Sequence, residues 1–278
     1  MAKNPKIEAH PFDPTKIKNA AEKNVEETIA DAFEDAAKEV ADDVIEQYEL
    51  KTAASKIINL LSFKSYDKIP DEIENSLEAV FGEAAEHAID GVYVHVDEDV
   101  KRDDVFDLAN EDAKEYAQSR AAEMVGKKWV NGKLVNNPNA QWVITDTTRD
   151  GIKSLIEKAY DKGLTPAEVK SELVSSYGFS KERASMIART EMNRASTQGT
   201  LNGWKQTGVV EGKEWILGDD WEDTFECDCG DNADEGVIPL DDDFQSGDDG
   251  PPNHPNCNCS LAATLMDEDD MEREEDDE

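Results

Sequence analysis

From Thr15 to about Lys64 the apolar residues recur three and four positions apart. Val25, Ile29, Ala32, Phe33, Ala36, Val40 and Val44 fall on one stripe, and Glu26, Glu27, Asp31, Asp35, Asp42 and Asp43 lie between them. That spacing predicts an amphipathic helix with one buried and one solvated face. A second apolar cluster follows at Ile57, Ile58, Leu60 and Leu61. Pro70 opens another helix, where its missing N–H costs nothing, with Ile73, Leu77, Val80, Phe81 and Ala84 as its stripe. Gly91 to Val96 alternates and predicts a short strand, and Asp104 to Val125 returns to helical spacing. Trp129 to Val135, centred on Asn131-Gly132, predicts a hairpin with a type I′ turn.

Three helices come next. Thr147 to Lys162 buries Ile152, Leu155, Ile156, Ala159 and Tyr160, and Gly163 can cap its end. Thr165-Pro166-Ala167-Glu168 is a capping box, whose helix runs to about Tyr177. Ser180 caps a long helix to about Gln206, with Ala184, Ile187, Ala188, Met192 and Ala195 inward. Val209 to Leu217 reads as a strand, and the chain beyond it shows little periodicity. The expected fold class is mainly α, with a small α+β C-terminal lobe stapled by a Cys/His cluster and an acidic disordered tail. The expected organisation is an N-terminal arm (1–14), a helical partner-binding region (15–125), a helical core with a short hairpin (126–218), a Cys/His-containing lobe (219–265) and the tail (266–278).

Charge changes this picture only at one end. The 278 residues carry 65 acids against 29 Lys and Arg, for a formal charge of −36. Asp219 to Asp249 holds 14 acids and no base, and Asp267 to Glu278 holds 10 acids and one Arg, so Met1 to Gly218 carries only −13. That sign argues against a general surface that coats DNA phosphates. The tail reads as a solvated, self-repelling end. No apolar run reaches the length of a membrane span, so no membrane partner is expected. The first residues lack the apolar core of a secretion signal. The expected compartment is the cytosol or a particle assembled there.

The chemistry is concentrated late. All four cysteines follow residue 226, as Cys227-Asp228-Cys229 and Cys257-Asn258-Cys259, with His254 three residues before the second pair. Thiolates plus an imidazole suit a structural zinc, which takes four ligands from these five. Cys-x-Cys is a tighter bite than the usual Cys-x₂-Cys. Two disulfides, or free buried thiols, are the alternatives. With ligands exceeding coordination positions, the site reads as structural and not catalytic. No Ser-His-Asp order, Walker loop or Gly-x-Gly-x₂-Gly occurs, and no catalytic residue is assigned.

Pro251-Pro252-Asn253-His254-Pro255-Asn256-Cys257-Asn258-Cys259-Ser260-Leu261 resembles the closing motif of the phage head-morphogenesis family, the Mu F-like minor head proteins. Gly236 to Phe244 resembles that family's stretch after its first cysteine pair. Arg183-Ala184 and Ile187-Ala188-Arg189-Thr190-Glu191 resemble its RA…IARTE helix. The resemblance covers about 147–265. The chain departs from it in Cys227-x-Cys229, where the family has Cys-x₂-Cys, and in Asn258, where the family has arginine.

The resemblance implies a non-enzymatic minor capsid protein of a tailed phage. Such a protein associates with the portal and other capsid proteins and acts in head assembly or in genome packaging and delivery. Its expected location is the virion near the portal, and the host cytoplasm during assembly. Two other functions compete with this one: a zinc-dependent hydrolase or nuclease, and an acidic DNA mimic that binds a basic host protein. Arg189, Glu191 and Arg194 are the expected polar network fixing the long helix to the cysteine-bearing lobe; Glu191 and Arg194 are three apart and face each other. Lys181, Arg183, Arg189, Arg194 and Lys205 make this helix basic. Charge balance against the acidic segment is the simpler reading, and packaged DNA is the alternative partner.

Overall fold

Helices supply most of the chain, as the periodicity predicts. The computed structural model describes residues 6–8, 16–96, 101–102, 104–141, 143–219, 221–222 and 226–266. Among them are eight α-helices: α1 (Lys16–Glu49), α2 (Ala54–Leu60), α3 (Ile69–Tyr93), α4 (Val105–Met124), α5 (Ile144–Lys162), α6 (Pro166–Val174), α7 (Lys181–Thr207) and α8 (Cys229–Asp234). The strands are β1 (Lys6–Glu8), β2 (Lys127–Val130), β3 (Lys133–Asn136), β4 (Val210–Ile216), β5 (Val237–Pro239) and β6 (Ser260–Leu265). The expected disordered tail lies outside the described residues from 267 onward, as does most of the 1–14 arm.

The chain divides into two compact units, each assembled from separated segments. One takes Glu22–Ser76 and Gln118–Ala188; the other takes Met1–Ala21, Leu77–Ala117 and Arg189–Glu278. The sequence segments 15–125 and 126–218 therefore each contribute to both units.

In the first unit the α1 stripe of Val25, Ile29, Phe33, Val40 and Val44 is fully buried. Tyr48 stacks on Tyr160 with ring centroids 4.6 Å apart, and its hydroxyl donates to Leu164 O at 2.8 Å. Gly163 ends α5 in the left-handed region (φ 64°), and Thr165 and Glu168 form the predicted capping box. At the centre lies Arg183, the buried guanidinium of α7. It donates to Thr148 Oγ1 at 2.9 Å, to Ile144 O at 3.1 Å, to Gly178 O and to Thr147 Oγ1, and it stacks 4.7 Å over Phe33. Thr148 Oγ1 spends its own hydrogen on Ile144 O at 2.8 Å, so Tyr66 is the donor in the 3.2 Å Tyr66–Thr148 bond. Burial pushes the Tyr66 phenol up to about 12 and pulls the Arg183 guanidinium down.

The β2–β3 hairpin forms with Asn131 (φ 50°) and Gly132 (φ 72°) at its turn, the two positive values that a type I′ turn requires. Trp129, Val130 and Val135 on it are exposed, beside the exposed Lys128 and Lys133.

The second unit packs α3, α4 and α7 with a four-stranded antiparallel sheet of order β1-β6-β4-β5. A Cβ at Gly199 would stand 2.2 Å from Phe81 O, and one at Gly203 2.5 Å from Ala85 O, so α7 and α3 cross at a separation that only glycine permits. Trp204, Trp215, Ile89, Val92, Phe244 and Leu261 are in its core.

Two expectations are corrected here. The strand expected over Gly91–Val96 is instead the last turn of α3, followed by a bend. Val92 and Tyr93 continue the helical stripe of Ile89 into the core, and that burial outweighs the local alternation. The segment after Leu217 is also more regular than its sequence suggests, because α8, β5 and β6 lie within it. In β6 only Thr264 is β-branched, and Leu261, Ala262 and Ala263 are consecutively buried, so no alternation marks it.

Candidate metal centre

Close backbone packing brings the cysteine segments together. After β4 the chain reaches Gly218, where a Cβ would lie 2.8 Å from Asn258 O, between the last two cysteines. Gly230, in the first turn of α8 beside Cys229, lies under the Trp221 ring, 2.7 Å from its Cζ2 by the same test. A chain of polar side chains links the two ligand-bearing loops. Asn232 Nδ2 donates to Ser246 Oγ at 2.9 Å, and Ser246 Oγ donates to Asp248 Oδ2 at 3.0 Å. Asn253 Nδ2 donates to the same Asp248 oxygen at 2.9 Å, and Asn253 Oδ1 accepts from Asp228 N at 3.1 Å.

Two sets of donors result, sharing one residue. Cys229, Cys257 and Cys259 have their sulfurs within 4.8 Å of one another, and so do the donor atoms of Cys227, Cys229 and His254. The first three cysteines are buried; Cys227 and His254 are half-buried. All four cysteines are free thiols, so the disulfide alternative is not the one adopted. The Cys229 and Cys257 sulfurs stand 3.8 Å apart. Four thiolates at about 2.3 Å around a tetrahedral zinc would be separated by roughly that distance.

The electrostatics also suit a cation. Hydrogen bonding from Cys257 and Cys259, with burial, drives the Cys229 thiol far above the ordinary range. Cys257 is also raised, to about 11, against the opposing pull of Cys229: its contact with Cys259 and its burial keep it protonated. Hydrogen bonds from Cys229 and Cys257 hold Cys259 down at about 2. Three buried thiols this close oppose one another's full ionisation, and a cation is what would let all three ionise. Trp215 Nε1 is buried without a partner that meets hydrogen-bond geometry, yet its indole also helps lower Cys259. An N–H facing a thiolate is the outer support that metal-bound sulfur uses. His254 Nδ1 lies 2.9 Å from Pro255 O. A carbonyl only accepts, so Nδ1 carries the hydrogen and Nε2 keeps the lone pair. The donor set fits a metal ion.

Helix α7 holds the loop that carries Cys257. Thr190 Oγ1 accepts from Asn256 N at 3.2 Å, Asn193 Nδ2 donates to Cys257 O, and Gln198 Nε2 donates to both Asp249 oxygens at 3.0 and 2.9 Å. A Cβ at Gly250 would meet Thr197 Cγ2 at 2.8 Å, so the loop is pressed onto the helix. Residues 190, 193 and 197 share one helical face.

Of the expected network, Glu191 is buried and lies 3.9 Å from Arg194 Nε, within ion-pair range but beyond a hydrogen bond; Arg189 is exposed. Thr190 and Asn193 make the helix-to-loop bonds just described. The sequence reading did not single them out, although both lie within or beside the Arg-Thr-Glu motif that it did. The basic character of α7 is partly spent internally: Arg183 is buried and Lys205 pairs with Asp241 at 2.8 Å.

Among the described residues no helix is long and apolar enough to cross a membrane. Neither the curated proteins nor the solved structures contain a match to the chain. Residues 150–262 match the family model described as phage Mu protein F like protein, a span that takes in α6, α7, the sheet strands β4 and β5, and every residue of the Cys/His cluster. Over that span the chain is similar to the Mu F-like phage proteins, the family that its closing motif resembles.

Proposed function

We propose that this chain is a minor capsid protein of a tailed phage, joined to the portal and other capsid proteins and acting in head assembly or genome packaging and delivery. Its role is structural, without turnover. The observation that carries this reading is the coincidence of the Mu F-like match with the α7–cysteine-loop assembly. The matched span also contains the Cys257 loop that is drawn onto α7.

Zinc is the metal this reading assigns to the Cys/His cluster. Bound there, it would cross-link the loops of Cys227–Cys229 and His254–Cys259 and add its binding energy to the folding of the lobe. The protein's own side chains do the rest. Asn193 and Thr190 position the loop, Trp215 faces Cys259, and Asn253 spans the two ligand segments.

The exposed hairpin supports an assembly role. The hairpin is tied to its own unit by Lys127 and Asp67, and it shows Trp129, Val130 and Val135 to solvent beside two lysines. In an acidic chain that surface suits a contact with a neighbouring capsid protein. Density-gradient separation of lysed producing cells tests the reading. The chain should travel with heads at low stoichiometry, and viable heads should be lost when it is removed. Soluble protein with a normal yield of heads in its absence would overturn it.

A further inference from the structure

We infer that Cys229, Cys257 and Cys259 are the fixed ligands of the metal centre, and that His254 and Cys227 compete for its fourth position, with His254 preferred. The inference rests on the metal reading above and divides its five candidate donors into two roles.

Five donors face four positions. The two donor sets share only Cys229, which therefore belongs to any arrangement that uses both loops. Cys257 and Cys259 are the companions held by the fold. Both are buried, Cys257 is gripped through its carbonyl by Asn193, and Cys259 directly precedes β6. Cys227 and His254 are half-buried and precede no regular element directly. They also arrive at the cluster as neighbours. Asp228, one residue after Cys227, donates its N–H to Asn253, one residue before His254, at 3.1 Å. Each has its donor atom within 4.8 Å of Cys229. Two donors delivered to the same side of one sulfur are alternatives for one corner.

Charge decides between them. An imidazole in the fourth position leaves the centre one negative charge poorer than a fourth thiolate does. The segment from Asp219 to Asp249 already carries 14 acids and no base. Like charges repel most where water is excluded, and three of the ligands are buried. The hydrogen bond from His254 Nδ1 to Pro255 O leaves Nε2 as the coordinating atom. Cys227 is then the reserve ligand, half-buried and able to replace the histidine when it is lost.

The test is a cobalt(II) titration of the full chain, stripped with chelator and kept reduced, read by the cobalt d–d bands and the thiolate-to-cobalt charge transfer. The unaltered chain should bind one cobalt in a four-coordinate site of three sulfurs and one nitrogen. Cys227→Ser should leave that spectrum unchanged. His254→Ala should keep a four-coordinate site but shift its bands to the all-sulfur pattern. The double variant should lose the four-coordinate spectrum and weaken binding by more than roughly a hundredfold, beyond what an outer-shell change costs. Both altered residues are half-buried, and far-UV circular dichroism checks that each variant folds. Loss of the four-coordinate site on His254→Ala alone, or on Cys227→Ser alone, would overturn the exchange. Two cobalt ions per chain would overturn it in favour of a pair bridged by Cys229. No cobalt binding by the unaltered folded chain would remove the metal reading itself, and the inference with it.

Discussion

Asn193 donates its side-chain N–H to the backbone carbonyl of Cys257, while its Oδ1 accepts from Lys18 Nζ at 3.0 Å. One amide on α7 thus orients the Cys257 loop and is itself oriented by a lysine of α1. Both ends of the amide are used, so its orientation is fixed by chemistry: the oxygen faces the ammonium and the nitrogen faces the carbonyl.

Removing that amide should loosen the loop without unfolding the helix. Asn193→Ala is expected to cost about 1–2 kcal/mol in chemical denaturation, the scale of a lost hydrogen bond with a partly buried acceptor left behind. It should also weaken cobalt or zinc binding by roughly tenfold, through misplacement of Cys257. Unchanged metal affinity would show that the loop holds its own shape.

The crossing of α3 and α7 makes a paired prediction about glycine. Gly199→Ala would drive a Cβ to 2.2 Å from Phe81 O, a clash with backbone that has no side chain to yield. A loss of about 2–3 kcal/mol is expected, the upper range of overpacking. Gly151→Ala on α5, where nothing lies within 4 Å, should instead stabilise by about 0.5–1 kcal/mol by relieving a helix-interior glycine. Thermal unfolding of the two variants checks both signs.

Tyr66 predicts an alkaline limit for the first unit. Its phenol is raised to about 12 by burial, against an ordinary value of 10.0. Below pH 10 both folded and unfolded chains keep the proton and the full stability is present. Between pH 10 and about 12 the unfolded chain loses a proton that the folded chain retains, so stability falls as pH rises. The loss reaches about 2–3 kcal/mol at the top of that window. Tyr66→Phe removes this titration and should flatten denaturation midpoints measured across the same range, while costing the bond to Thr148 at neutral pH.

Arg183 should tolerate no replacement. Its acceptors are two carbonyls and two hydroxyls, with Phe33 beneath the guanidinium. Arg183→Met leaves Ile144 O and Gly178 O without this donor, for a loss of about 3 kcal/mol. Arg183→Lys should fare little better, because a point ammonium cannot reach four oxygens in the plane of a fork. Equilibrium denaturation of both variants, compared with the exposed control Lys181→Met, measures the difference.

Chelation should act on one unit more than the other. The cluster lies wholly in the unit that contains Arg189–Glu278, so metal removal should lower that unit's unfolding temperature and leave the Tyr66-dependent alkaline transition in place. Parallel loss of both transitions would show that the units do not unfold separately.

Much of this was legible in the chain because it depends on near neighbours in sequence. The α1 stripe, the capping box at Thr165, the Asn131-Gly132 turn and the glycine end of α5 are each settled within a few residues by helical periodicity, cap hydrogen bonds and allowed backbone angles. The late Cys/His cluster was legible for the same reason: soft ligands gathered in two short segments mark a group that could hold a metal ion. The Arg-Thr-Glu helix and the closing motif pointed to the family on the strength of their residues.

What the sequence did not reveal depends on residues far apart. The strand expected at Gly91–Val96 lost to the burial of Val92 and Tyr93 on α3, a choice made by the core they enter. β6 carries almost no strand signal of its own and exists because β1 and β4 flank it. Thr190 and Asn193 are ordinary polar residues on a helix until the loop of Asn256 and Cys257 is laid against them. Which cysteines are buried is likewise visible only in the fold. Sequence by itself determined the long helices, their caps, the hairpin turn and where the candidate ligands gather, because those obey local periodicity and ligand preference. Tertiary structure alone decided the partners, because a hydrogen bond or a ligand set between distant residues has no energy until packing brings them within reach.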